Sequence, residues 1–428
     1  MPPAAPPRVA SARRRRTPPP HIPPPRQSPA RRARSAGATS CRPRRRSVHS
    51  QSPRTGGARA PRGHSEGRTA VTRPSPSLED LCRRALDGEE LDEPALARLL
   101  GARPDEAGTV FAAAREARRR AWGDAVFLYG FVYFSTFCRN RCAFCLYRAG
   151  NPHGPHYRKP QEEVVDICRR LEVSGVVLLD LTMGEDPVYN DGGRCEPLVG
   201  LVRAVREATT VPIMVSPGVV GAPVLRALRR AGADWYALYQ ETHTPRLYER
   251  LRPGQPFARR VAARRNARRA GLLVEDGMLT GLGDTPFDRA RAVAAMRREG
   301  CQQVRVMTFV PQPGTPLAHV RPAGDLDELL TIAVLRLAMP DRLVPASLDV
   351  DGIRGLRRRL EAGANVVTSI VPPATGLAGV SQAELDIEEG HRTVAGVLPH
   401  LAGLGLRAAT VDEYRQALAR FRAAEAVA

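Results

Sequence analysis

The sequence predicts an α/β fold: a (β/α)8 barrel of the TIM type, with an N-terminal helical extension and a disordered basic tail. Three observations carry this expectation. Eight strand-like runs alternate with helical patterns between residues 125 and 404. The runs are short, and one such as "VSGVVLLDLTM" is too short to cross a membrane and suits a buried strand. Polar and glycine residues collect directly after the strand-like runs, where barrel active sites sit. A doubly wound open sheet is the alternative topology.

Taken in order, the chain opens with a segment unlike the rest. Residues 1–76 hold eighteen arginines, no lysine, one acid (Glu66) and sixteen of the 39 prolines, so +17 of the net +21 charge lies there. With almost no large apolar side chains, the segment cannot bury enough surface to offset the entropy of ordering, and disorder is expected. Its composition shares features with a transit peptide, but Pro18, Pro19 and Pro20 oppose the amphipathic helix such a peptide uses. A basic arm for acidic surfaces and an extension without function both remain open. The remaining 352 residues carry only +4, so the overall charge is no argument for nucleic acid as a partner.

Residues 77–122 read as N-terminal helices. The stretch "SPSLEDLCRRALDGEELDEPALARLL" starts with a capping pattern and continues at helical spacing, and a second helix spans about Glu106–Trp122. Residues 123–428 read as the barrel domain with C-terminal helices. Its strands are "AVFLYGFVYF", "VVLLDLTM", "PIMVS", "DWYALYQ", "LVEDGMLTG", "QVRVMTFV", "LVPASLDV" and "NVVTSIV". Helical patterns lie near 161–174, 195–208, 221–231, 256–270, 286–299, 325–338, 351–361 and 383–404, and helix is expected again after about Val411. Eight scattered cysteines without a secretory signal argue for a reducing, cytoplasmic compartment, and no apolar stretch is long enough for a membrane span.

Three of the eight cysteines, Cys138, Cys142 and Cys145, crowd into "FSTFCRNRCAFCLY" directly after the first strand. Zinc sites pair C-x2-C with a second pair or with spaced histidines, and only His153 and His156 follow, on a Gly/Pro-rich loop. Three thiolates on one loop can hold three corners of a [4Fe–4S] cube and leave one iron open to a small ligand.

C-x3-C-x2-C after a barrel's first strand resembles the signature of the radical S-adenosylmethionine (SAM) superfamily. "YQETHTPRLYERLRPGQPFARR" is similar to a segment shared by the biotin synthase, HydE and methylornithine synthase (PylB) families. The strings "LLDLTMGEDP", "GMLTGLGD", "VRVMTFVPQPGTPL" and "PASLDVDGIRGLRRRLEAGANVVTSIVPP" resemble the methylornithine synthase family in particular. The resemblance runs from about residue 80 to 420.

This resemblance implies a [4Fe–4S] cluster on the three cysteines and SAM as cofactors, with flavodoxin or ferredoxin as reductant. It implies an isomerase that converts L-lysine to (3R)-3-methyl-D-ornithine, the first step of pyrrolysine biosynthesis. A 5′-deoxyadenosyl radical would start a fragmentation and recombination of the carbon skeleton. Alternatives within the group are a paralogue acting on another amino acid and a HydE-like maturase. Carried over by position, Glu241 and Arg260 would contact SAM, Met183, Gly184 and Glu185 would line its methionyl end, Phe144 would flank adenine, and Ser216 would reach the ribose or amino acid. Arg305 would bind the substrate carboxylate, and Asp180, Ser347 and Asp349 its ammonium groups. The residue types suit these tasks: a zwitterion with a second ammonium needs one cation and several carboxylates. Each has a structural alternative, since Asp180 or Asp349 could cap a helix and Arg305 could pair with an acid inside the barrel.

Overall fold

Strand β1 (Ala125–Ser135) is buried along all eleven residues, as expected for a parallel strand covered on both faces. It belongs to a computed structural model that describes residues 76–427; the expectation of a disordered tail over 1–76 lies almost wholly outside those residues. Three helices precede it: α1 (Leu78–Leu86), α2 (Glu93–Leu100) and α3 (Ala107–Trp122). The first predicted helix is thus two. Gly88 turns the chain at φ 86°, and Asp92 starts α2 by accepting from Ala95 N–H.

Strands and helices then alternate. The order is α4 (Gln161–Ser174), β2 (Leu178–Met183), α5 (Glu196–Ala208), β3 (Ile213–Ser216), α6 (Ala222–Arg230), β4 (Trp235–Ala237), α7 (Pro245–Leu251) and α8 (Phe257–Arg269). They continue as β5 (Leu273–Thr280), α9 (Pro286–Arg298), β6 (Gln303–Thr308), α10 (Leu326–Ala338), β7 (Pro345–Ser347), a 3-10 turn (Gly352–Gly355), α11 (Leu356–Glu361) and β8 (Val366–Ile370). Local signals account for many ends. Glu162 and Glu163 complement the α4 N-terminus, Gly175 terminates it at φ 98°, and Thr285 with Asp288 forms a capping box on α9.

All neighbouring strands are parallel in the order β6-β5-β4-β3-β2-β1-β8-β7. The last gap closes at its base, where Val304 N–H donates to Leu343 O at 3.0 Å and Leu343 N–H to Gln302 O at 3.1 Å. The molecule is therefore a nearly closed eight-stranded barrel ringed by helices. Gly130 lets α4 lie against β1, since a Cβ there would stand 2.9 Å from a Leu171 methyl carbon.

The predicted helix over 383–404 is a correction: only α12 (Val394–Ala402) is helical. Residues 371–393 instead run as turns, held by a buried ion pair between Arg392 and Asp349 at 2.8 Å. Backbone N–H groups of Val380 and Ser381 also donate to Asp349. Tertiary bonds from the end of β7 thus override the helical periodicity. A short strand β9 (Arg407–Ala408) pairs with β1, and α13 (Val411–Val427) packs under the strands' N-terminal ends. Among the described residues, no helix is long and apolar enough to cross a membrane.

Candidate active site

The cysteine loop leaves β1 at Ser135. Lys159 N–H donates back to Phe134 O at 2.8 Å, and Ala149 N–H to Asn140 O at 2.7 Å, closing residues 136–158 into a compact excursion. The end of β2 seats it. A Cβ on Gly184 would lie 2.2 Å from Phe137 O and 2.8 Å from Cys138 Cβ, so no other residue fits without moving the loop. Gly184 N–H donates to Ser135 O at 2.8 Å.

Cys142 is buried, while Cys138 and Cys145 are half-buried. Burial pushes the Cys138 thiol up to about 11 and raises Cys145 as well, so both ionise at neutral pH only when bonded to a cation. Among the described residues, no group of three or more His, Cys, Asp or Glu side chains forms a ready-made metal site. Cys138, Cys142 and Cys145 are free thiols on one loop, the donor set of an iron–sulfur cube bound by cysteine sulfur. The loop fits such a cluster.

Behind this loop, a cavity with about 810 Å³ of empty space, its open mouth included, occupies the C-terminal ends of the strands. Phe144 and Cys145 form its wall on the loop side, with Phe131, Met278, Met307 and Phe309 as apolar lining. Asp180, Ser216, Glu241, Arg305, Ser347 and Asp349 supply polar groups from five strands, β2, β3, β4, β6 and β7, and the turns that follow them. Cys138, Cys142, Met183 and Gly184 stand outside this lining, and Glu185 and Arg260 border an adjoining cleft with Arg139 and Asn140.

Around that cleft, Glu185 accepts from Val219 N–H at 3.0 Å and pairs with Arg139 at 3.3 Å. Arg260 donates to Tyr239 O through Nε and Nη2, leaving Nη1 3.9 Å from Glu185. Burial and the neighbouring Arg252 push Arg260 down to about 10, a setting that favours an anionic ligand. Glu241 sits at φ 68°, a left-handed conformation held from both sides: its N–H donates to Gly277 O, and its carbonyl accepts from Leu279 N–H. Its carboxylate bonds Arg252. The preceding residue is anchored by Asp276, which accepts from Gln240 N–H and is paired with His243 and Arg264. Burial alone would raise Asp276, but Arg264 and His243 hold it at about 2.

In the barrel interior, Arg305 Nε bonds Glu275 at 2.7 Å and Nη1 bonds Thr368 at 3.1 Å, while Nη2 is buried without a partner. Asp180 accepts from the Thr182 hydroxyl at 2.9 Å and has no ion-pair partner among the described residues. Burial and then Glu275 raise its carboxyl to about 7, against the opposing pull of Arg305 and Thr182. Ser347 stands 3.5 Å from Ser369 and accepts from Asp349 N–H. Asp349 lines the cavity with its charge already matched by Arg392. Ser216 makes only a long bond of 3.4 Å to Ala237 O.

Sequence reasoning missed Glu275, Tyr239, Arg252 and Gln255. Glu275 is wholly buried, bonds Tyr239 Oη as well as Arg305, and is the acid inside the barrel that pairs with Arg305. A charged residue within the strand run "LVEDGMLTG", on the same face as Gly277, was its signal. Arg252 and Gln255 had none, because their partner, Cys142, is more than a hundred residues away.

The model of the radical SAM superfamily matches residues 132–296. The 3-methylornithine synthase of Methanosarcina acetivorans is 42% identical over 348 residues, covering 80% of this chain and 98% of the relative. The 3-methylornithine synthase of Methanosarcina barkeri is 42% identical over 343 residues, with 80% and 97% covered. The crystal structure of methylornithine synthase (PylB) superposes with a TM-score of 0.75 at 42% identity, over 79% of this chain and 99% of that one. The chain belongs to the methylornithine synthase family of the radical SAM superfamily.

Proposed function

We propose that the chain isomerises L-lysine to (3R)-3-methyl-D-ornithine, the first step of pyrrolysine biosynthesis. The observation that carries the substrate reading is the unmatched pair of groups in the cavity. Arg305 keeps a buried Nη2 without an acceptor, and Asp180 is a carboxylate without a cation. An amino-acid carboxylate and an ammonium complete both.

The chain uses a [4Fe–4S] cluster and SAM, as its superfamily does. Cys138, Cys142 and Cys145 hold the cluster; Glu241, Arg260 and Glu185 take the charged groups of SAM, with Met183, Gly184, Phe144 and Ser216 around them. When bound, these cofactors supply a carbon radical able to remove hydrogen from an unactivated C–H bond, with flavodoxin or ferredoxin as electron donor. The protein's own part is to orient and enclose. Arg305, fixed by Glu275 and Thr368, clamps the substrate carboxylate, and Asp180, Ser347 and Asp349 hold ammonium groups.

Loss of hydrogen from lysine Cγ lets the Cα–Cβ bond fragment to a glycyl radical and an aminobutene. The glycyl carbon then joins Cγ and the hydrogen returns to Cβ, so the isomerisation is redox neutral. The fragments must stay in contact between bond breaking and bond making. The apolar lining of Phe131, Phe144, Met278, Met307 and Phe309 excludes water that would otherwise separate them.

Anaerobically reconstituted protein with SAM, a reductant and L-lysine should yield an isomer of lysine that co-elutes with methylornithine in mass spectrometry. SAM cleavage without any lysine isomer would overturn the substrate assignment and leave the cofactor assignment standing.

A further inference from the structure

The turn after α7 reaches across to the cysteine loop. Ala143 N–H, beside Cys142, donates to Leu251 O at 2.8 Å and docks the two segments backbone to backbone. The turn itself is tight: Gln255 N–H donates to Arg252 O at 3.1 Å, and Gly254 supplies the required φ of 75°. Two side-chain donors thereby converge on one sulfur. Arg252 Nη1 lies 3.3 Å and Gln255 Nε2 3.2 Å from Cys142 Sγ. The donors are tied together, since Arg252 Nη1 also donates to Gln255 Oε1 at 3.4 Å.

Arg252 is buried and further fixed. Its Nη2 bonds Glu241, and its guanidinium lies 5.3 Å from the centre of the Phe144 ring. The three cysteines are not treated alike. Cys138 Sγ accepts the backbone N–H of Asn140 at 3.4 Å, whereas Cys142 faces a full positive charge and a carboxamide.

We propose that Arg252 and Gln255 are positioning residues that set the reduction potential of the iron–sulfur cluster through the Cys142 sulfur. This rests on the reading of Cys142 as a cluster ligand. Reduction adds one electron to a group whose charge is shared by its sulfurs. Hydrogen bonds to sulfur and a nearby cation therefore stabilise the reduced form and raise the potential. Burial strengthens the effect, because the charge acts across a low-dielectric gap. Both donors are side chains, so each can be changed without rebuilding the loop backbone.

The test is a redox titration of the anaerobically reconstituted full chain, followed by electron paramagnetic resonance, without SAM or substrate and with iron and sulfide quantified. Arg252→Gln should lower the equilibrium constant for one-electron reduction by about tenfold, which corresponds to about 59 mV. Gln255→Leu should shift it in the same direction by less, and Arg252→Lys should stay nearer the wild-type potential than Arg252→Gln does. An Arg252→Gln protein with a complete cluster and an unchanged or higher potential overturns the proposal. If that variant loses iron, Gln255→Leu decides by the same measurement, and an unchanged potential again overturns it. Loss of the cluster from both variants also overturns it, by showing a role in assembly instead. Failure of the wild-type chain to assemble a cluster would refute the ligand reading itself, an outcome distinct from an unmoved potential.

Discussion

Asp180 is held near the point where its two protonation states balance at neutral pH. Burial and Glu275 favour the neutral acid, while Arg305 and the Thr182 hydroxyl favour the carboxylate, and the result is a value of about 7. Tyr239, with its hydroxyl on Glu275, and Tyr129 are further ionisable side chains close by. A carboxyl raised in the folded state has a definite sign. Folding is favoured where the acid is protonated, and stability falls as pH climbs from the ordinary carboxylate range towards about 7. An ammonium bound to the carboxylate reverses that loss.

L-Lysine should therefore raise the melting temperature more at pH 8 than at pH 6, and kcat/KM should rise with pH through about 7. Asp180→Asn should remove this pH dependence and weaken lysine binding by roughly 10- to 100-fold, the usual worth of a hydrogen bond to a charged group. A variant that keeps the wild-type pH profile would show that Asp180 does not face the ammonium. Asp180 is legible in the sequence through the resemblance of "LLDLTMGEDP" to the methylornithine synthase family. The balance that governs it is not, since Glu275 and Arg305 meet it only through the barrel register that sets Gly277 against Arg305.

The strand and helix pattern was visible in the sequence because each βα unit is a local signal: an apolar run, a turn, then a 3.6-residue periodicity. Predicted helix 161–174 coincides with α4, and predicted 286–299 exceeds α9 by one residue. Elements shaped by distant partners were not visible. Residues 383–393 carry helical spacing but run as turns between the Val380 and Ser381 N–H groups that donate to Asp349 and the Arg392 side chain that pairs with it, and α7 is a single extra helix between β4 and α8. An exacting contact between elements joins the end of β2 to the cysteine loop. Gly184→Ala would put a methyl group 2.2 Å from Phe137 O unless backbone moves, and the atom it meets is backbone, not a flexible side-chain end. The shift would displace Cys138, whose Cβ is 2.8 Å from the added group. Gly184→Ala should therefore reconstitute with less iron per chain while its circular dichroism stays close to wild type. Full iron loading in that variant would show that the loop can yield without losing its cysteine geometry.

At the scale of the whole molecule the barrel has two unlike ends. The C-terminal end carries the cavity, the charged groups and the cysteine loop; the N-terminal end is sealed by apolar packing. Helix α13 provides the seal. Tyr414 is completely buried among Phe127, Tyr129 and Leu418, and Phe421 stacks edge-on against Trp235 at a centroid distance of 6.2 Å. Tyr414 Oη meets Tyr129 Oη at 2.9 Å, and Tyr129 in turn donates to Gln303 at 3.0 Å. That last bond lies at the start of β6, beside the β6–β7 gap, which is bridged by backbone bonds of Gln302 and Val304 with Leu343. The floor thus supports the weakest joint of the sheet.

Replacing Tyr414 with alanine removes a large buried ring and leaves Tyr129 short of a partner, which should cost about 3–5 kcal/mol of stability. Tyr414→Phe keeps the ring and loses only the hydroxyl contact, for about 1 kcal/mol. Chemical denaturation read by circular dichroism ranks the two variants. Because the floor lies at the end away from the cavity, lysine turnover per folded molecule should match wild type at low temperature in both. Equal stability of Tyr414→Ala and wild type would mean that the barrel closes without α13. Normal stability with lost turnover would mean that the two ends are coupled through β6, along which Gln303 and Arg305 share one face.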